Sequence, residues 1–123
     1  MTIETLKFIA DALESIGINY EFGQWSSAVK YPYFVGEYTE SEPLTEDGLH
    51  EADFMLTGWT RGTWLDLETA KEKIERLFAN SAQLLPSGNG LAVFYAGSFI
   101  IPQNEAELKS IQINLRIKEW KVN

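Results

Sequence analysis

Glu107-Leu108-Lys109-Ser110-Ile111-Gln112-Ile113-Asn114-Leu115-Arg116-Ile117-Lys118-Glu119-Trp120-Lys121-Val122 is the stretch around which the chain is organised. Ile111, Ile113, Leu115 and Ile117 alternate with Gln112, Asn114, Arg116 and Lys118, a period of two that places one apolar and one polar face on a strand. At helical spacing the same four branched residues would scatter around a cylinder. The β-branched isoleucines also suit a pleated surface. A long final strand therefore needs a cover for its odd-numbered face, and the rest of the sequence must supply it.

Two stretches have the right pattern. Ile3, Leu6, Ile9, Ala10, Leu13 and Ile16 recur at three- and four-residue steps behind a capping Thr2, with Glu4, Lys7, Asp11 and Glu14 facing out and Gly17 as the stop. Leu67, Ala70, Ile74, Leu77 and Phe78 form a second stripe within a helix expected from Leu65 to Asn80, its positive end matched by Asp66 and Glu68. Between and after them lie further strands. Ile18-Tyr20-Phe22 is short and closed by Gly23. Tyr31 to Tyr38 is aromatic, with Pro32 placing its start at an edge. His50 to Thr60 alternates fully and forms a hairpin with the strand before it. Leu91 to Ala96 is broken by Gly97, with Phe99, Ile100 and Ile101 as a continuation. Leu84 to Gly90 reads as linker and turn. The expectation is one α+β domain over residues 1–123, a two-layer sandwich in the order α-β-β-β-α-β-β. Its mostly antiparallel or mixed sheet has about five strands, with two helices packed on it.

At 123 residues the chain is long enough for a single core without staples, and it contains no cysteine. No apolar run approaches the roughly 20 residues of a membrane span, and the start lacks a basic segment followed by an apolar one, so a soluble, unexported protein is expected. The net charge is −8, unevenly placed: residues 1–60 hold 11 acidic against 2 basic side chains, and residues 61–123 hold 7 against 8. Such a chain repels phosphate backbones, which argues against sequence-specific nucleic-acid binding even with a local basic patch at Lys109, Arg116, Lys118 and Lys121. The asymmetry reads either as ordinary solvated surface or as one face made to meet the opposite face of a neighbour.

No constellation points to catalysis, a cofactor or a metal. His50 is the only histidine, and a pairing with Asp53 lacks a third partner. Glu40, Glu42, Glu46 and Asp47 lack the spacing of a calcium loop and read as a solvated acidic connection between Thr39 and Gly48. Ser87-Gly88-Asn89-Gly90 has no lysine-serine pair and no helix after it, so it is a turn and no phosphate cradle. Trp25, Trp59, Trp64 and Trp120 stand at strand ends or connections, where tryptophan either wedges a core shut or anchors a protein interface. Trp120 leaves the odd-numbered face of the last strand, so a bulge re-aims it or it packs on the opposite side.

The whole order of elements resembles the tail terminator and tail-completion proteins of long-tailed bacteriophages. The likeness runs from the helix Thr2 to Gly17 through Ile18-Asn19-Tyr20-Glu21-Phe22, Tyr31-Pro32-Tyr33-Phe34-Val35, an acidic loop and Asp53-Phe54-Met55-Leu56-Thr57-Gly58-Trp59. It ends with the helix Leu65 to Phe78 and two late strands closing at Ile113 to Trp120. The resemblance implies a non-enzymatic virion protein, assembled in a host cytoplasm. It would form a ring, commonly a hexamer, that stops the tail tube and docks to the head connector. In that setting Glu40, Glu42, Glu46 and Asp47 would face the lumen or a partner ring, and Lys109, Arg116 and Lys118 an adjoining subunit, with Trp59, Arg61 and Trp120 as further interface candidates. The competing expectation is a cytoplasmic small-molecule or regulatory domain with a pocket between helix and sheet, lined by Trp25, Tyr33, Phe54, Trp59 and Tyr95.

Overall fold

The computed structural model describes residues 1–40, 48–79 and 81–122. Helix α1 (Ile3–Ser15) starts where the Thr2 hydroxyl accepts the Thr5 amide at 3.1 Å. It stops where Gly17 takes φ +79°, so that Gly17 N–H reaches the Glu14 carbonyl and Ile18 N–H the Leu13 carbonyl. Those two bonds satisfy carbonyls that the helix end would otherwise leave open. Helix α2 (Trp64–Leu77) starts with a reciprocal cap: Asp66 N–H donates to the Thr63 hydroxyl, and Thr63 N–H donates to the Asp66 carboxylate.

Six strands form one mixed sheet: β1 (Tyr20–Phe22), β2 (Tyr33–Glu40), β3 (Leu49–Thr60), β4 (Ser81–Leu84), β5 (Gly90–Ile101) and β6 (Lys109–Trp120). Their spatial order is β1-β2-β3-β6-β5-β4, with β1 parallel to β2 and every other pair antiparallel. Strand β6 is central. It pairs with β3 over its whole length, Leu49 opposite Trp120 through Thr60 opposite Lys109, and with β5 on its other side. The β5–β6 register shifts once, between Tyr95 and Ser98, where Ala96 and Gly97 together oppose Asn114. Gly97, expected as a break with the strand continuing beyond it, sits in a bulge at φ +109°, and pairing resumes at Ser98.

Both helices cover the same side of the sheet. Ile9 and Leu13 of α1, and Leu67, Ala70 and Ile74 of α2, join Phe34, Phe54, Leu56, Val93, Ile111, Ile113, Leu115 and Ile117 in one core. Three expectations shift. Ile3 is 84% exposed and Thr5 is buried in its place, its hydroxyl held by Thr2. Strand β2 lies inside the sheet, because β1 pairs along its outer side, and Pro32 precedes its first residue. Ser81–Leu84 is a strand that ends at the first residue of the expected linker, giving six strands in place of about five. Residues 41–47, the body of the acidic connection, lie outside the described residues.

Two glycines let the core close. The Phe34 ring lies on Gly58 across the β2–β3 pair, and the rings of Tyr20 and Phe54 converge on Gly36. A side chain at either glycine would occupy the space of a buried aromatic.

Candidate interaction surface

With both helices on one side, the other sheet face carries Glu37, Thr57, Met55, Gln112, Asn114 and the neighbours of these residues. Alternation fixes who stands there: odd positions of β3 and even positions of β6 point away from the core. Two clusters occupy opposite ends of this bare face.

The first is ionic. Arg116 donates from Nη1 to Asp53 Oδ1 at 3.0 Å and from Nη2 to Glu51 Oε2 at 2.6 Å, while Lys118 Nζ lies 3.7 Å from Glu51 Oε1. The register makes this possible, since Asp53 faces Arg116 and Glu51 faces Lys118 across β3–β6. Hydrogen bonding from Arg116 holds the Glu51 carboxyl below the usual carboxylate range, and the two acids hold the guanidinium above its ordinary value. Thr39, Glu40, Glu51, Ala52, Asp53 and Arg116 line a shallow polar cleft of about 240 Å³. Glu40 is itself paired with the Met1 amino group.

The second cluster is aromatic. Tyr33 stacks on Trp59 at 5.2 Å between ring centres, and Trp25 and Tyr31 flank Tyr33 at 4.9 and 5.8 Å. Arg61 closes the end of this ladder, donating from Nε to the Tyr31 hydroxyl at 3.2 Å and pairing with Glu105 at 2.7 Å. Between Trp59 and Lys109 lies Ser110, whose buried hydroxyl has no hydrogen-bond partner among the described residues.

The expected site residues therefore divide. Trp59, Arg61 and Lys109 gather at one end. Glu40, Arg116, Lys118 and Trp120 lie toward the other, about 23 Å along β6 from Lys109 to Arg116 at strand rise. Glu42, Glu46 and Asp47 lie outside the described residues. The basic patch dissolves, because Arg116 and Lys118 are neutralised by Glu51 and Asp53 and Lys109 turns to the Glu107 carbonyl. Trp120 packs on the bare face beside Gly90 with the β3–β6 register unbroken, so no bulge re-aims it. His50 and Asp53 stand on opposite faces of β3, and Asp53 is committed to Arg116, which removes the pairing considered for them. The aromatic pocket divides in the same way: Phe54 and Tyr95 face the helices, whereas Trp25, Tyr33 and Trp59 form the ladder on the other side. Among the described residues, no group of three acidic or histidine side chains is placed to hold a metal ion, and no helix is long and apolar enough to cross a membrane.

The sheet edges carry exposed apolar side chains that no motif in the sequence marks. Phe22, Phe94, Phe99 and Ile100 are exposed there. The available signal was β5 itself, twelve consecutive residues from Gly90 to Ile101 without one charge.

No protein-family model matches the chain, and no curated protein matches its sequence. Solved structures share its fold. A chain in the structure of the virion of a native gene transfer agent particle is similar with a TM-score of 0.70 and 12% identity, over 91% of this chain and 86% of that one. A second solved chain, known by a sequence identifier alone, matches with a TM-score of 0.69 and 10% identity, over 95% of this chain and 91% of its own. At such identities the likeness speaks for the fold.

Proposed function

We propose that this chain is a phage-type virion structural protein. It closes a ring, of six subunits in the simplest case, at the tail end or head-tail joint, where it terminates the tail tube and docks to the connector. The observation that carries the reading is the fold shared, nearly end to end, with a chain of a gene transfer agent virion. The order of elements that resembles tail-completion proteins supports it independently, since that likeness was drawn from the sequence. The ion-paired and aromatic clusters on the bare face suit contact with other proteins, where aromatic and arginine side chains are enriched. In this reading the partners are further copies, the tail-tube protein and the connector. The chain works by shape, and no reaction is involved.

Native mass spectrometry across a range of protein concentrations tests this, paired with co-sedimentation on purified tail tubes. A closed ring, alone or on the tube, is the expected result. A chain that is monomeric at every concentration and also fails to sediment with tubes refutes it.

A further inference from the structure

The two edges of the sheet do not match its centre in length. On one side, β4 covers β5 only from Gly90 to Val93, and among the described residues no strand pairs with the outer edge of β5, the edge away from β6, from Phe94 to Ile101. On the other side, β1 covers β2 only from Phe34 to Gly36, and β2 ends at Glu40. Cross-strand rows locate these steps relative to each other. One row runs Ile100, Ile111, Gly58, Phe34, Tyr20, and another Ser98, Ile113, Leu56, Gly36, Phe22. The tab formed by β1 thus lies in the rows where β5 is bare, past the bulge. At the other end the tab formed by β4 lies beyond Val93, whose own row ends at Glu40, the last residue of β2. Among the described residues, each edge protrudes where the opposite edge is recessed.

Direction agrees as well. Strand β1 runs with β2, β2 runs with β6, and β6 runs against β5, so β1 is antiparallel to β5. We infer that β1 of one copy pairs antiparallel with the Ser98–Ile101 edge of β5 in the next, extending the sheet from subunit to subunit with all helices on one side. Side chains favour the contact: Phe22 is 47% and Ile100 55% exposed, and both face the helix side. In the unshifted register Phe22 stands opposite Ser98 and diagonal to Ile100, within reach of an aromatic ring. Edges left unpaired are ordinarily protected by charge or proline, and β5 has neither. The contact is head-to-tail, the kind that generates a ring when its rotation closes. This inference rests on the ring reading and adds its interface.

The chain has no cysteine, so introduced thiols report without background. F22C and S98C are separated within one chain by β2, β3 and β6, about 19 Å at ordinary strand spacing, too far for a disulfide. Oxidation of the F22C/S98C double variant, or treatment with a short bismaleimide that tolerates a slip in register, is carried out on the assembled form. The expected product is a covalent ladder extending past dimer to the ring size, with each single variant limited to dimer. A double variant that assembles as the unaltered chain does, yet yields nothing past dimer with either reagent, overturns the interface and leaves the ring reading standing. Absence of any assembly by the unaltered chain, alone or on tubes, overturns both.

Discussion

The contact between Phe34 and Gly58 gives the strictest test of how the core closes. Gly58 lies within β3 outside the left-handed region, so its lack of a side chain answers to space and not to backbone angle. A β-carbon built there falls 2.3 Å from Phe34 Cε2 and 2.7 Å from Cδ2 and Cζ, all three well inside ordinary contact. Phe34 is fully buried and cannot swing into solvent. G58A is therefore an overpacking change, with a cost of about 1–3 kcal/mol, and the depth of the clash points to the upper half of that range. Loss of backbone freedom in the unfolded chain returns about 0.4–1 kcal/mol. A net loss of about 2 kcal/mol follows, a urea midpoint lowered by about 1 M for an m-value in the usual range. Tryptophan fluorescence can follow the transition. F34L removes the ring atoms responsible, so G58A should cost less than about 0.5 kcal/mol in the F34L background, a coupling of the size seen for residues in direct contact. G58A stability within 0.5 kcal/mol of the parent on that same scale, or an equal cost in both backgrounds, would refute the steric account.

Two further outcomes are expected. Burial pushes the Tyr20 phenol well above its ordinary value of 10.0, so the unfolded chain ionises first; the residue's contribution is intact below about pH 10 and is lost as pH rises beyond it. Y20F should flatten the alkaline decline of the urea midpoint, and an unchanged slope between about pH 9.5 and 11 would contradict the assignment to Tyr20. In the ring reading, reversing the acidic connection in E40K/E42K/E46K should lower the yield of intact particles while leaving the monomer folded, its expected cost to stability being the loss of the Glu40 pair with the Met1 amino group. Unchanged particle yield and DNA content would remove the idea that this connection faces a lumen or a partner ring.

Much of the architecture was legible because its signals are local. Alternation in β3 and β6 named the residues that face the core, the stripes of α1 and α2 named their covers, and Gly17 marked a helix stop that its carbonyl bonds require. What escaped depends on partners. Ser81–Leu84 has little to bury, with Leu84 77% exposed, and is a strand only because β5 offers it hydrogen bonds. Thr5 is polar by type and reaches the core only because Thr2 satisfies its hydroxyl. The candidate surface was harder still, because Arg116 and Lys118 read as free cations until the register sets Glu51 and Asp53 against them. Edge exposure is likewise a property of strand order, which no single stretch encodes.

The central place of β6 also governs when the molecule can form. Its partners β3 and β5 precede it in sequence, and neither pairs with the other, so a nascent chain lacking residues 109–120 would hold two half-sheets without the strand that joins them. Folding must wait for synthesis to pass Trp120, and the non-local β3–β6 closure then completes the core in one late step. Prematurely terminated chains would expose the inner sides of β3 and β5 together, the kind of uncovered apolar surface that favours aggregation.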